Sequence, residues 1–350
     1  MKDFQYLNQP TGRIIQQDGE NYLFFGGTAY LGLLDNPRYI SLYKEGIDKY
    51  GLNNGTSRNN NVQLGIYREA ENHTAQRFGF EDAILLSSGY LAAQLAIKVL
   101  CGRGELIYAP DTHPALWIDG KPHVKENFDV WMEETINYIN CSDGGEFVVV
   151  SNALDNLTPM LYDFSSFEAI NPNKKVLFVL DDSHGIGVLR KNGTSVGLNF
   201  ADRDNFTLIV VASLAKGMGT DAGVVLGNKE HMDMLRKHPI FTGASPSSPA
   251  SMYVLLKGQD IYEQSFDKLQ HNISLAQQLF AHLQFKSISN FSVFSALEAN
   301  LYQYLLDKNV LISSFSYPFP ASPLLNRIVI SALHEEQDLR HIAAIFYAKS

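Results

Sequence analysis

Short apolar runs recur along the chain, and each stops at polar or glycine-rich residues: Ala83 to Leu86, Leu106 to Ala109, Phe147 to Val150, Val176 to Leu180 and Thr207 to Ala212. Runs this short and continuous read as strands buried on both faces, and the helical patterns between them read as crossover helices. The pattern predicts an α/β chain with a mostly parallel sheet. In such sheets ligands collect at the carboxyl ends of the strands, so chemistry is expected just after each run. From about Ser251 the texture changes. A long helical pattern covers Met252 to Leu283, shorter strand-like pieces follow, and a last helix covers Glu335 to Ala348. This predicts a smaller α+β unit over 251–350 behind a large domain over 41–250. Residues 1–40, strand-like over Asn21 to Phe25 before Gly26-Gly27, read as an arm packed on one of the two.

With 350 residues, 45% of them hydrophobic and 19% charged, the chain can bury a large core and has the composition of an ordinary globular protein. The net charge of -9 is spread without a run of Lys or Arg, which argues against a nucleic-acid partner. Apolar runs such as Leu208 to Ala212 fall far short of the ~20 residues that span a bilayer. Met1-Lys2-Asp3-Phe4-Gln5 lacks the apolar run of a signal peptide, so no membrane partner and a cytoplasmic location are expected. The two cysteines, Cys101 and Cys141, sit in no CxxC and are expected as reduced, partly buried thiols.

Three strand ends carry candidate chemistry. Ala83 to Leu86 runs into Ser87-Ser88-Gly89-Tyr90 and then an apolar helix, a strand-turn-helix whose free N–H groups and helix dipole suit an anion such as phosphate. A serine N-cap without a ligand is the alternative. Lys174 to Leu180 runs into Asp181-Asp182-Ser183-His184-Gly185, where a carboxylate can hold a protonated ring nitrogen and the imidazole can reach a neighbouring oxygen. Turn residues bonding their own backbone, or a metal site, are the competing readings, and the second lacks a companion motif. Thr207 to Ala212 runs into Ser213-Leu214-Ala215-Lys216-Gly217, where a poorly solvated lysine has a lowered pKa and a reactive amine. The alternative is a lysine snorkelling to the surface. Gly193-Thr194-Ser195-Val196-Gly197 matches GxSxG but follows no strand, and Gly217-Met218-Gly219 leads into a strand where a dinucleotide fingerprint needs a helix, so both read as loops.

In order and spacing these elements resemble the α-oxoamine synthase family of fold type I pyridoxal phosphate enzymes, from Tyr22 almost to the C-terminus. The resemblance rests on Tyr30-Leu31-Gly32-Leu33, Ser57-Arg58, Ser88-Gly89-Tyr90-Leu91, Asp111-Thr112-His113, Asp181 to Gly187, Ser213 to Gly219 and Arg327 to His334. It implies an aspartate aminotransferase-like fold type I, with a mostly parallel seven-stranded sheet in the large domain. It also implies pyridoxal 5'-phosphate as cofactor, held as a Schiff base on Lys216. Ser88, Gly89 and Tyr90 would bind the phosphate with help from Ser213, His113 would stack on the ring, Asp181 would pair with the ring nitrogen, and His184 and Asn156 would meet the ring oxygen. Ser245 would reach the phosphate of a neighbouring subunit, which implies a homodimer with active sites at the interface. Arg327 would grip the carboxylate of an amino acid substrate, a salt bridge to Glu335 or Glu336 being the other reading. The activity implied is the decarboxylating condensation of an amino acid with an acyl-CoA thioester. Three departures fall on the substrate side: Ala29 replaces the family's asparagine, Asn156-Leu157-Thr158-Pro159 replaces its Ser-Met-Asp-Gly loop, and no glycine follows Ser57-Arg58. They leave open an aminotransferase or a cofactor-binding protein without catalysis.

Overall fold

The computed structural model describes residues 4–124, 126–197, 203–298, 300–317, 319–322 and 324–348. Met1, Lys2 and Asp3, on which part of the N-terminal reading rests, lie outside them. In chain order the elements are β1 (Ile14–Gln17), β2 (Glu20–Phe25), α1 (Pro37–Tyr50), α2 (Ile66–Phe78), β3 (Asp82–Leu86), α3 (Gly89–Leu100), β4 (Glu105–Tyr108), α4 (Phe128–Cys141) and β5 (Glu146–Asn152). A minimal hairpin follows, β6 (Leu154–Asp155) with β7 (Met160–Leu161), and then β8 (Lys175–Asp181), β9 (Phe206–Ser213) and β10 (Gly223–Gly227). The remainder is α5 (Lys229–Lys237), α6 (Pro239–Gly243), α7 (Pro249–Lys257), α8 (Gln259–Leu279), β11 (Val293–Ala296), α9 (Leu301–Leu306), β12 (Val310–Ser316), β13 (Leu324–Val329) and α10 (Glu336–Tyr347).

The large sheet has the order β3-β10-β9-β8-β5-β4. Strands β9, β8, β5 and β4 pair in parallel, and β10 runs antiparallel to both of its neighbours. Alternate residues face opposite layers, as the period of a strand dictates. Val148, Val150, Val179 and Val211 pack beneath α3, whereas Phe147, Val149, Phe178 and Leu180 pack against Phe128 and Trp131 of α4. Both faces are covered, which is why these strands are apolar runs without polar alternation.

Among the described residues the sheet has six strands, not the expected seven. The chain leaves β4 through a 3-10 turn at Pro114–Leu116 and reaches α4 without adding another edge strand. The connecting Trp117-Ile118-Asp119-Gly120-Lys121-Pro122 holds a proline and a glycine at φ 109°, with no β-branched run to pair beside β4.

A second sheet has the order β1-β2-β12-β13-β11, with β2 parallel to β12 and the other pairs antiparallel. The N-terminal hairpin therefore belongs to this sheet. Arg13 extends the link by pairing with Asp338 at 2.6 Å, and Asp338 also completes the capping box that starts α10. The helical pattern expected over Met252 to Leu283 divides at Gly258 into α7 and α8. A Cβ on Gly258 would lie 2.7 Å from the carbonyl oxygen of Val254, so the bend requires glycine there. Both cysteines are free, and only Cys101 is buried; Cys141 is exposed at the end of α4, where the helix turns it outward.

Candidate active site

The register of the large sheet sets Asn152 at the end of β5 beside Asp181 at the end of β8, with Ser213 at the end of the adjacent β9. Helix α3 starts across from Ser213. A Cβ on Gly89 would stand 2.4 Å from the Ser213 Cβ, and one on Gly223 would stand 2.0 Å from the Ser88 carbonyl oxygen, so only glycine allows these backbones to meet. Ser88 caps α3 by accepting from the Leu91 N–H at 3.2 Å, so the capping role is real. The Gly89 and Tyr90 amides precede Ala92, which donates to the Ser88 carbonyl, so they lie in the first turn, where a helix offers N–H groups to an anion.

A cavity of about 240 Å³ opens at these strand ends, and Lys216, Asp181, His184, His113 and Asn156 line it together with Tyr317. Lys216 leaves β9 after one short turn, pinned by Leu214 N–H donating to Ala222 O at 2.8 Å. Its Nζ lies 2.9 Å from His184 Nε2, and His184 Nδ1 lies 2.7 Å from the hydroxyl of the fully buried Tyr30. Burial pushes the Lys216 ammonium below its usual range; Asp181 opposes that shift and Arg327 adds to it. Burial first, then the charges of Lys216, Arg327 and His113, hold His184 well below its usual range. The pair is therefore a neutral imidazole beside an amine that gives up its proton readily. The lysine does not snorkel outward.

His113 is held from both sides. Its backbone N–H donates to Asn152 Oδ1 at 3.0 Å, its ring Nδ1 accepts from the Ala115 N–H at 3.1 Å, and its ring faces Tyr317 at 6.4 Å. Asn152 also donates to the Asp111 carbonyl at 2.8 Å, and Asp111 itself takes a φ of 51°. A turn held in that sparse region by its neighbours is typical of a functional site.

The two adjacent aspartates part company. Asp181 faces the cavity and accepts from the Ser183 N–H at 2.9 Å. Asp182 is wholly buried, accepting from the Ser195 N–H at 2.8 Å and from the Ser195 hydroxyl. The serine of the GxSxG match is thus an internal brace. Burial pushes the Asp182 carboxyl up to about 7, against the Ser195 hydrogen bonds. A folded-state pKa raised above the unfolded value favours folding fully at low pH and loses that contribution as pH rises through about 7. Asp182→Asn should therefore gain steadily on the wild type in thermal stability as pH rises from about 5 to about 7, and hold that gain at about pH 8. Melting curves of both proteins across that interval check this, and a constant difference would show that the carboxyl is ionised throughout.

Arg327 lies outside the cavity lining, on β13 between Ser295 and Ser313. It is 3% exposed, and its Nε and Nη2 have no hydrogen-bond partner among the described residues. Glu335 pairs instead with Lys268 at 2.8 Å and Glu336 with Arg340 at 3.5 Å. Tyr90 and Ser245 are exposed. Three contributors escape the sequence reading as functional residues: Asn152, Tyr30 and Tyr317. Asn152 ends an apolar strand and was open to the same strand-end reasoning, whereas Tyr317 sits in a loop without any local pattern. Among the described residues no three His, Cys, Asp or Glu side chains gather as a metal site would require.

These donors fit pyridoxal phosphate on structural grounds. A buried amine with a lowered pKa is placed for an aldehyde, a carboxylate at the cavity wall for a ring N–H, and a glycine-walled helix start for a phosphate.

No protein-family model matches the chain. It is 25% identical over 351 residues to the 8-amino-7-oxononanoate synthase of Pseudomonas syringae pv. tomato, covering 95% of this chain and 88% of that one. It is 24% identical over 350 residues to the enzyme of the same name from Thermosipho melanesiensis, covering 95% and 89%. Among solved structures, Sphingomonas wittichii serine palmitoyltransferase superposes with a TM-score of 0.79 at 18% identity, over 98% of this chain and 91% of that one. The Francisella tularensis 8-amino-7-oxononanoate synthase superposes with a TM-score of 0.70 at 18% identity, over 94% and 97%. The structural likeness establishes the fold, and the sequence relatives match it end to end. The chain is thus similar along 95% of its length to enzymes of the α-oxoamine synthase family and shares their fold.

Proposed function

We propose that the chain is a pyridoxal phosphate-dependent C-acyltransferase that condenses an amino acid with an acyl-CoA thioester, releasing CoA and carbon dioxide. The observation that carries this reading is the grouping of Lys216, His184, Asp181 and His113 around one strand-end cavity. Relatives named 8-amino-7-oxononanoate synthase, matched along 95% of the chain, support the reaction class.

When bound, the cofactor supplies an electron sink for the pair left when a bond at the substrate α-carbon breaks. Lys216 Nζ is the amine that would hold it, with Asp181 at the ring nitrogen and His113 over the ring face. Ser88, Gly89, Tyr90 and Ser213 would hold the phosphate. Lys216 Nζ would also accept the α-proton of the amino acid. His184 Nε2, 2.9 Å away, orients that amine. The neutral imidazole meets an oxygen acceptor or donor without adding a charge, and Tyr30 fixes its far nitrogen. Arg327, buried without a carboxylate partner, would take the α-carboxylate through Nε and Nη2. Asn156 stands at the cavity wall where the family has a serine, so an amide would replace the hydroxyl at the ring oxygen.

The proposal includes a homodimer in which the exposed Ser245 serves the phosphate of the neighbouring subunit, and a cytoplasmic setting. Residues 41–250 form the cofactor-holding domain in this reading, 251–350 the smaller one, and 1–40 an arm. No helix among the described residues is long and apolar enough to cross a membrane.

The test is product chemistry. Glycine, alanine and serine are each incubated with acyl-CoA thioesters, and CoA thiol, carbon dioxide and amino ketone are followed together. Equal amounts of all three are expected with the productive pair. Formation of a keto acid without CoA release would replace this reading with transamination, and cofactor binding without any turnover would replace it with a non-catalytic role.

A further inference from the structure

A second chamber of about 530 Å³ lies beside the catalytic cavity and shares Leu157, Thr158 and Leu325 with it as a common wall. Its other walls come from elements remote in sequence. Leu283 and Phe285 follow α8, Ala296 ends β11, Leu301 begins α9, and Phe346 lies on α10. The chamber belongs to the second sheet and its helices, Leu325 of β13 included, whereas Leu157 and Thr158 of the shared wall come from the turn of the β6–β7 hairpin. The Ser295 hydroxyl donates to the Leu157 carbonyl at 2.6 Å and pins that wall in place. Gln284, Lys286, Glu298 and Asn326 make part of the wall polar, and Leu297, 85% exposed, marks an edge open to solvent.

A void of this size with a mostly apolar lining has the features of a ligand site and not of a packing defect. The wall shared with the catalytic cavity favours a substrate as the occupant. Of the two substrates, the amino acid is claimed by charge at Arg327, which leaves the apolar part of the other.

We infer that this chamber holds the aliphatic chain of the acyl donor and sets the chain length the enzyme accepts. The inference rests on the acyl-transfer reading for the identity of the ligand, and the test separates the two. The holoprotein is titrated calorimetrically with straight-chain acyl-CoA thioesters from acetyl to decanoyl, without amino acid. Affinity should rise about three- to fourfold for each added methylene, since burying one contributes about 0.8 kcal/mol, and then level off once the chamber is full. Ala296→Trp, projecting into the chamber from the end of β11, should flatten that rise while acetyl-CoA affinity and cofactor absorption stay unchanged. Ala296→Leu, a smaller intrusion, should move the plateau to shorter chains. Affinity independent of chain length, or a slope unaltered in both variants, would overturn the inference. Turnover with amino acid is measured on the same series. Turnover without a chain-length slope would sink the chamber and keep the acyl-transfer reading. A slope without turnover would sink the acyl-transfer reading and keep the chamber as an acyl-chain site.

Discussion

Lys216→Ala is expected to leave a folded protein that takes no visible-absorbing cofactor adduct and turns over at least about 10²–10⁴-fold more slowly, the usual contribution of a positioned proton-transfer group. The lysine is the only described side chain that brings an amine to the strand-end cavity beside His184, at 2.9 Å from Nε2. Lys121 also lines that cavity, but from the loop after Trp117, and no hydrogen bond joins it to the histidine pair among the described residues. The replacement removes a methylene stem next to a cavity and breaks no ion pair among the described residues, so thermal unfolding should shift little. Absorption spectra of reconstituted protein and initial rates check the expectation. Retained visible absorption together with wild-type turnover would show that another amine does the work.

Arg327→Lys should weaken amino acid binding about ten- to a hundredfold, with the absorption spectrum of the resting holoprotein unchanged. Two guanidinium nitrogens, Nε and Nη2, are buried without a partner, and a buried charged donor left unpaired is costly unless a ligand completes it. Lysine keeps the positive charge but loses the planar fork that meets a carboxylate through two parallel bonds. A lost charge-assisted hydrogen bond amounts to about 1.5–3 kcal/mol, which is the stated range. Spectral titration with amino acids gives the affinity directly. Unaltered affinity would return Arg327 to a purely structural role, which its lack of an acidic partner does not otherwise suggest.

Much of this site was legible because strand ends in a parallel sheet are where it had to be. Lys175–Asp181 and Phe206–Ser213 emerge from the pattern of apolar residues within a residue at each end, and the polar residues that follow them line the cavity. The division of labour between Asp181 and Asp182 was legible only in part, since it depends on Ser195 folding back onto Asp182 from a distant loop. The same long-range contact explains the GxSxG match, whose serine braces a carboxylate. Tyr30 and Tyr317 were not legible as functional residues. Each reaches the site from outside the large sheet, and no local periodicity reports a contact made across layers. The seventh strand came from resemblance and not from the pattern, and the glycine- and proline-bearing segment after Trp117 provides no strand in its place. Arg327 was readable as a charge at the start of an apolar run, but only its burial without an acid beside it separates a ligand role from a salt bridge.

The most direct measurement is borohydride reduction of the pyridoxal phosphate-loaded wild-type protein, followed by peptide mapping by mass spectrometry. The mass of the reduced cofactor should appear on the peptide containing Lys216, with loss of visible absorption in step with the labelling. Labelling confined to another lysine, or no stable addition of the cofactor at all, would contradict the account.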